Sequence, residues 1–184
     1  MPKALPPPEP LKPGPVEFVE LGALSLRDWV SVTARAREPF GPTSAGLTFR
    51  PKEHHIGARH PDGHLVAVVG ATVATVAVEG YGSFEVVGIG GLIIREEMRG
   101  HGLAGPLMDR LRALIDDLGP DRAMLFCGPE LVSLYVRRGY RAISAPVHAD
   151  QPGGRIAVPM AAMWRPLRPA EWPAGVVELH GLPF

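Results

Sequence analysis

The chain has 184 residues, which is enough for one domain with a full hydrophobic core and too few for two. Apolar residues make up 46% of it, a composition typical of globular rather than disordered proteins. Nineteen Lys and Arg residues balance nineteen Asp and Glu residues, which excludes the excess of positive charge used to bind nucleic acids or anionic membranes. We therefore expect no nucleic-acid partner and no membrane partner.

Cysteine usage and the N-terminus predict a cytoplasmic protein. The single cysteine, Cys127, excludes an intramolecular disulfide framework and is typical of a reducing compartment. The first 15 residues are rich in proline where an export signal needs an apolar helix. The longest nearly apolar run, residues 65–78, is about two-thirds as long as a membrane-spanning helix.

Composition divides the chain into three regions. Residues 1–15 combine many prolines with few apolar residues, which predicts an extended, mobile tail. Residues 16–163 carry the periodic apolar patterns of a folded domain. Residues 164–184 are a C-terminal tail that is apolar enough to dock on that domain.

The first third of the chain predicts few regular elements. Residues 16–21 alternate polar and apolar side chains, which predicts a short strand. Ser25 is a suitable N-cap for a helix that runs to about residue 37 and ends before Pro39. Residues 39–63 are rich in Gly, Pro and His and predict a long connection. The predicted apolar face of the helix consists of Leu26, Trp29, Val30 and Thr33.

The rest of the chain predicts an α/β domain. Three β-branched segments separated by short glycine-containing turns, the first turn at Gly70-Ala71, indicate an antiparallel meander. Next come an amphipathic helix, a short buried strand, a second helix and a late hairpin. Together they predict one mixed, mostly antiparallel sheet with helices packed on it. In chain order, these elements cover residues 64–69, 72–79, 84–94, 103–118, 123–127, 131–138, 141–148 and 155–163.

A glycine-rich turn precedes the 103–118 helix and is the most informative segment. Glycine lets a backbone turn tightly and approach a ligand without a Cβ in the way. The first amides of a helix have no internal partners, and the helix dipole attracts negative charge at that end. We therefore predict a pyrophosphate site here. Its residues are Arg99, Gly100, His101, Gly102, Leu103 and Ala104.

Gly100, Gly102 and Gly105 also match the spacing of the dinucleotide-binding fingerprint. That fingerprint needs its first glycine directly after an early parallel strand, and an acidic residue after the following strand. Here residues 95–99 intervene, and Asp121 stands before the next strand. The spacing therefore disfavours a nicotinamide site, and a turn that binds nothing remains the other alternative.

Two motifs resemble one protein family. Arg99-x-x-Gly102-x-Ala104 matches the [Gln/Arg]-x-x-Gly-x-[Gly/Ala] signature of the GNAT superfamily of acyl-CoA-dependent N-acyltransferases. Residues 134–140, Leu-Tyr-Val-Arg-Arg-Gly-Tyr, resemble that family's Leu-Tyr-x-x-x-Gly-[Phe/Tyr] segment. The resemblance covers residues 64–163 well and the first sixty residues poorly. It implies a GNAT-like fold for the domain at residues 16–163.

The resemblance implies a mechanism and a cosubstrate, acetyl-CoA, with no metal. The amides of residues 99–104 would hold the pyrophosphate, and Leu92, Ile93 and Ile94 would pair with the pantetheine arm. The strand at residues 123–127 would splay away and leave a slot for the thioester. Tyr135 would be the acid that protonates the leaving thiolate, since its phenol has a pKa of ~10. The alternative role for Tyr135 is structural: its ring would pack on the sheet and its hydroxyl would be exposed to solvent.

The group that removes the amine's proton is less determined. Among GNAT enzymes the chain is most similar to those that acetylate aminoglycosides and related small amines, several of which carry a glutamate near the position of Gly90. Two replacements are candidates: Glu85, earlier on the same strand, and the terminal carboxylate of Phe184. The alternative role for the C-terminal tail, residues 164–184, is to cover apolar surface of the domain without taking part in catalysis.

Histidine and cysteine spacing argues against a metal site and a thiol nucleophile. His60 and His64 have i, i+4 spacing but are separated by a turn, and Cys127 has no recognisable His or Asp partner, so it is predicted to be a packing residue. The expected acceptor is a small-molecule amine. A protein N-terminus or lysine, and a non-catalytic acyl-CoA-binding module, are the alternatives, and a homodimer is left open.

Overall fold

The computed structural model describes residues 14–33 and 46–184. In these two ranges the chain forms ten strands in one sheet and three α-helices. Most of the predicted tail at residues 1–15, and the predicted helix end near Pro39, lie outside the described residues.

The strands form a mixed, mostly antiparallel sheet, as predicted. Their spatial order is β6-β9-β5-β4-β3-β10-β7-β8, and β1 joins through β2, which pairs with β3. Two neighbouring pairs run parallel, β4 with β5 and β10 with β7. The strands are β1 (Glu17–Leu21), β2 (His54–Arg59), β3 (Leu65–Val78), β4 (Gly82–Ile94), β5 (Arg122–Cys127), β6 (Arg141–Ala142), β7 (Val147–Gln151), β8 (Gly154–Ala157), β9 (Ala161–Pro166) and β10 (Val177–Leu179).

The long strand β3 organises the sheet. On one edge it pairs with β4, and on the other edge β2 pairs with its first half while β10 pairs with its second half. The predicted break at Gly70-Ala71 is therefore wrong, because Gly70 pairs with both His55 and Gly90. The predicted connection at residues 39–63 is also wrong in part, since it contains β2. That strand lacks β-branched enrichment and is stabilised by its neighbours β1 and β3.

Helix α1 (Leu26–Thr33) packs on one face of the sheet. Its Ser25 cap is confirmed, because the Ser25 hydroxyl accepts a hydrogen bond from the Asp28 amide at 3.1 Å. The predicted apolar face is wrong: Leu26 and Val30 are exposed, whereas Val32 is buried. The contact with β3 decides the orientation, since Val32 packs in the cluster that contains Leu65 and Val68.

The other two helices, α2 (Ala104–Ile115) and α3 (Val132–Val136), lie on the opposite face. The predicted period is confirmed in α2, whose Leu107, Leu111 and Ile115 are buried against the sheet. The late hairpin is shorter than predicted. Its arms are β7 and β8, while β6 and β9 pair with each other and β9 pairs with β5.

The C-terminal segment enters the sheet as β10, between β3 and β7. Arg155 ties it to the late hairpin, since its guanidinium donates to the Glu178 carboxylate at 2.6 Å and to the Leu179 carbonyl at 2.9 Å. Phe184 is only 2% exposed, and its ring centroid lies 5.4 Å from that of Phe126.

Within residues 14–33 and 46–184, no cluster of three or more His, Cys, Asp or Glu side chains is arranged to hold a metal ion. Over the same part of the chain, no helix combines the length and apolarity needed to cross a membrane.

Candidate functional site

A cleft opens where β4 and β5 separate. The two strands pair in parallel from Val87↔Ala123 to Ile89↔Leu125, and the pairing ends there. Beyond this point the strands enclose a cleft of about 430 Å³. One edge of β4 is consequently left without a strand partner inside the cleft, where its peptide groups can bond to a ligand.

A bulge in β4 shapes this edge. Gly91, with φ of +65°, and Leu92 together lie opposite the single residue Val69, because the register shifts between the Val68↔Ile93 and Gly70↔Gly90 pairs. Because of the extra residue, the side chains of β4 after the bulge point to the opposite faces of the sheet from those that regular alternation would give. The cleft is therefore lined by Leu92 and Ile94, whereas the Ile93 side chain packs on the other face, in the cluster that contains Val32.

The glycine-rich turn lies at the mouth of the cleft, which Arg99 and Ala104 also line. Gly100 and Gly102 both have φ of +76°, a conformation that only glycine adopts without strain. In the described part of the chain, none of the amides of residues 100–103 donates to a backbone carbonyl. The first turn of α2 contains no acidic residue, so nothing there repels an anion.

Side chains of the turn brace its backbone. Arg99 Nε donates to the Ile94 carbonyl at 3.1 Å, and His101 Nδ1 donates to the Arg99 carbonyl at 2.9 Å. The six predicted residues, 99–104, therefore form one continuous structure. Its unbonded amides can donate hydrogen bonds to a phosphate or pyrophosphate.

Tyr135 lies on α3 and lines the cleft. It is 5% exposed, and its hydroxyl bonds to no other described residue. Burial is the main cause that raises the pKa of Tyr135 above its ordinary value of ~10. The phenol therefore stays protonated in neutral and mildly alkaline solution, and it releases its proton less readily than an exposed tyrosine does.

Cys127 also lines the cleft, but its surroundings indicate that it has a packing role. It is 2% exposed, and its Sγ lies 3.8 Å from Met163 Sδ. Burial, with a smaller contribution from the Glu130 carboxylate, raises the pKa of the thiol to about 11. A protonated thiol is a weak nucleophile, which agrees with the structural assignment of this residue.

The chain terminus closes the cleft on the other face of β4. The Phe184 carbonyl oxygen lies 2.8 Å from the point that a Cβ on Gly90 would occupy, and the Phe184 ring lies over Gly88 in the same way. Two glycines on one face of β4 therefore create the space for the terminal residue. The backbone carbonyl group of Phe184 therefore lies beside position 90, which has no side chain of its own.

The structure does not bring Glu85 to the cleft. It is exposed, pairs opposite Thr75 five residues before Gly90, and lies on the other face of β4 because side chains alternate along a strand. It does not line the cleft.

Two polar residues beside the cleft were missed by the sequence reasoning. Lys52 and His55 are 9% and 6% exposed and lie against Gly70, which has no side chain to exclude them. Burial, followed by the charge of Arg50, lowers the pKa of Lys52 to about 8. Burial also lowers the pKa of His55, whose Nδ1 donates to the Gly22 carbonyl at 2.6 Å. No local motif marks either residue, since the sheet alone brings them to the site.

Comparisons with known proteins agree with this architecture. No sequence model of a protein family matches the chain, and no curated protein sequence matches it. Among solved structures, the GNAT family N-acetyltransferase YhbS from Escherichia coli, in complex with CoA, matches with a TM-score of 0.60 and 20% identity, covering 94% of this chain and 98% of that one. An acyl-CoA N-acyltransferase from Pseudomonas aeruginosa matches with a TM-score of 0.53 and 21% identity, covering 82% and 99%. Escherichia coli ElaA matches with a TM-score of 0.55 and 20% identity, covering 82% and 99%. The chain therefore has the fold of the GNAT N-acetyltransferases.

Proposed function

We propose that this protein transfers the acetyl group of acetyl-CoA to the amine of a small molecule by direct attack on the thioester. The observation that carries the proposal is the cleft between β4 and β5, which joins the unbonded amides of residues 100–103 to the buried hydroxyl of Tyr135. The shared fold supports the proposal, since YhbS was solved with CoA bound.

The cleft suits a long anionic thioester. The amides of the glycine-rich turn would hold the pyrophosphate at the N-terminus of α2. The free edge of β4 after Ile89 would bond to the amide groups of the pantetheine arm, as an added strand does. A backbone N–H from this edge would also stabilise the oxyanion, an effect of about 3 kcal/mol per donor in well-ordered sites.

The reaction needs one proton removed and one supplied. The amine nitrogen attacks the thioester carbonyl, the carbon–sulfur bond breaks, and the leaving thiolate takes the proton of the Tyr135 hydroxyl. We assign the removal of the amine's proton to the terminal carboxylate of Phe184, acting directly or through water, because it lies beside Gly90 at the inner end of the cleft. Acid–base catalysis of this kind typically contributes ~10²–10⁴-fold.

Two measurements test the proposal. Equilibrium titration with acetyl-CoA and, separately, with NAD should show binding of acetyl-CoA alone. Release of free thiol should then be followed with a panel of amines, with a reaction lacking amine as the control for hydrolysis. Binding without amine-dependent thiol release would reject the transferase and leave a coenzyme-binding module. Absence of acetyl-CoA binding would reject both.

A further inference from the structure

A second cavity of about 430 Å³ lies beside the cleft. Phe49, Lys52 and Gly91 line both spaces, so the two meet at the bulge of β4. Most of the remaining wall is apolar and comes from α1, β3 and the segment before β2. These residues include Leu24, Trp29, Leu47 and Val68.

Lys52 lies at this junction and crosses the sheet over two paired glycines. Its Cβ is 3.0 Å from the Cβ position of Gly70, and its Cε is 3.1 Å from that of Gly90, the partner of Gly70 on β4. A side chain at either glycine would occupy the path of the lysine stem. The missing side chains therefore allow the ammonium to be buried between the two spaces.

The Glu53 carboxylate has the smallest of the three effects on the pKa of Lys52, and the Lys52 ammonium forms no ion pair in the described part of the chain. Its contact there is with the Phe49 ring, whose centroid lies 5.8 Å from Nζ, and it forms no hydrogen bond or ion pair with another described residue. A buried charge without a counter-ion is costly, so folded proteins seldom retain one. A bound anion is the partner that would offset this cost.

The charges around the second cavity also favour an anionic ligand. Among the described residues that line it, none is acidic, and two, Arg50 and Lys52, are cationic. Burial is the main cause that lowers the pKa of His55 and favours its neutral form, and it outweighs the opposing effect of the hydrogen bond from Nδ1–H to the Gly22 carbonyl. A polycationic amine would be repelled here, whereas an acidic group would be attracted.

Lys52 and Phe184 both lie beside the position of Gly90, and the ammonium and the terminal carboxylate carry opposite charges. We propose that Lys52 determines acceptor specificity by binding an acidic group of the acceptor, which is therefore an amine that carries a carboxylate or similar acid on an apolar body. The proposal rests on the proposed function. In the proposed complex with the acceptor, the amine of the acceptor faces the Phe184 carboxylate and its acidic group faces Lys52.

Matched ligands test the proposal without requiring turnover. N-acetylphenylalanine and its carboxamide share the same body and differ only in the acid, and so do the N-acetylleucine and N-acetylglycine pairs. With protein saturated with coenzyme A, we expect at least one acid to bind about tenfold more tightly than its amide. Lys52→Met, which keeps the apolar stem, should remove that preference.

Equal affinity for acid and amide in every pair, or no binding of any acid, would overturn the proposal. A preference that persists in Lys52→Met would also overturn it. Turnover separates this proposal from the proposed function: wild-type acetylation of phenylalanine and phenylalaninamide with equal kcat/KM would keep the transferase and reject the role of Lys52. Selective binding of the acids without any thiol release would keep the anion site and reject the transferase.

Discussion

The carboxyl carbon of Phe184 lies 2.5 Å from the point where a Cβ of Gly90 would stand. The last residue of the chain therefore occupies the space that a side chain at position 90 would fill. The backbone carbonyl group of Phe184 reaches this place from a different element, through the docking of β10.

We predict that Gly90→Ala displaces the terminal carboxyl group, because the added Cβ overlaps it. Misplacement of a catalytic group by about 1 Å can cost a hundredfold in rate, so kcat should fall by about one to two decades. Gly153→Ala is the matched control, since a Cβ there meets no atom within 4 Å. Equal turnover of the two variants would remove Phe184 from the mechanism.

Appending one glycine after Phe184 tests the same group in a different way. The addition converts the carboxylate beside Gly90 to an amide and moves the charge by roughly 3.5 Å. We expect kcat to fall by about a hundredfold while the affinity for acetyl-CoA, measured by titration, stays within about twofold. The same glycine added before Met1 is the control. Full activity of the C-terminally extended protein would contradict the assignment.

We predict that Tyr135→Phe lowers kcat by about one to two decades with a nearly constant KM for acetyl-CoA, because only the proton donor is lost. Tyr140→Phe is the matched control. Tyr140 is equally buried and stacks edge-on with Tyr135 at 5.6 Å, but it lines a different cavity. A similar kcat for wild type and Tyr135→Phe would make Tyr135 a packing residue.

We predict that Gly102→Val weakens acetyl-CoA binding by at least about tenfold, or ~1.4 kcal/mol, since a branched side chain resists φ of +76° and extends toward the phosphates. Gly80→Val controls for backbone strain, because Gly80 has φ of +75°, equally open surroundings, and a place in the distant β3–β4 turn. If titration shows the same loss of affinity for both variants, residues 99–104 do not form the phosphate site.

Lys52→Met should stabilise the free protein at neutral pH. The pKa of Lys52 is lowered from 10.5 to about 8 in the folded state, so the unfolded chain binds more protons between these values and stability rises with pH across that window. Below pH 8 the buried ammonium costs about 3 kcal/mol, from 1.4 kcal/mol per unit of pKa. Arg50, Glu53, His55 and the Phe184 carboxylate are the neighbouring charged or titratable groups.

Urea unfolding at pH 7 and pH 10 measures this effect. We expect Lys52→Met to raise the free energy of unfolding by about 1–3 kcal/mol at pH 7, and the gain to shrink at pH 10. A variant that is less stable than wild type at both pH values would show that the ammonium has a counter-ion in the free protein. The combination of higher stability and lost acid binding is the pattern expected of a functional group.

Local patterns were sufficient for the donor half of the candidate site. The turn at residues 99–104 depends on glycines that adopt positive φ and on a helix that begins directly after them, and both are readable over a few residues. The period of α2 and the burial of β5 follow from apolar spacing for the same reason. The mixed sheet was predictable because its two longest strands, β3 and β4, are rich in β-branched residues and are joined by a short turn.

Other features were decided by contacts between distant segments. The sequence predicted Leu26 and Val30 on the buried face of α1, but β3 selects Val32 instead. Gly70-Ala71 reads as a turn in isolation, yet it lies mid-strand because β2 and β4 pair on both sides of it. Propensity is a weak guide wherever such pairing supplies the stabilisation.

By itself, the sequence determined the glycine-rich turn, the helix that follows it and the apolar character of the strands, because each depends on residues adjacent in the chain. Only the tertiary structure decided what lies beside Gly90. The Phe184 carboxylate and the Lys52 ammonium come from positions 132 residues apart in the sequence. Both residues lie beside the position of Gly90, in space that the missing side chains of the glycines at positions 70, 88 and 90 leave when β3 and β4 pair.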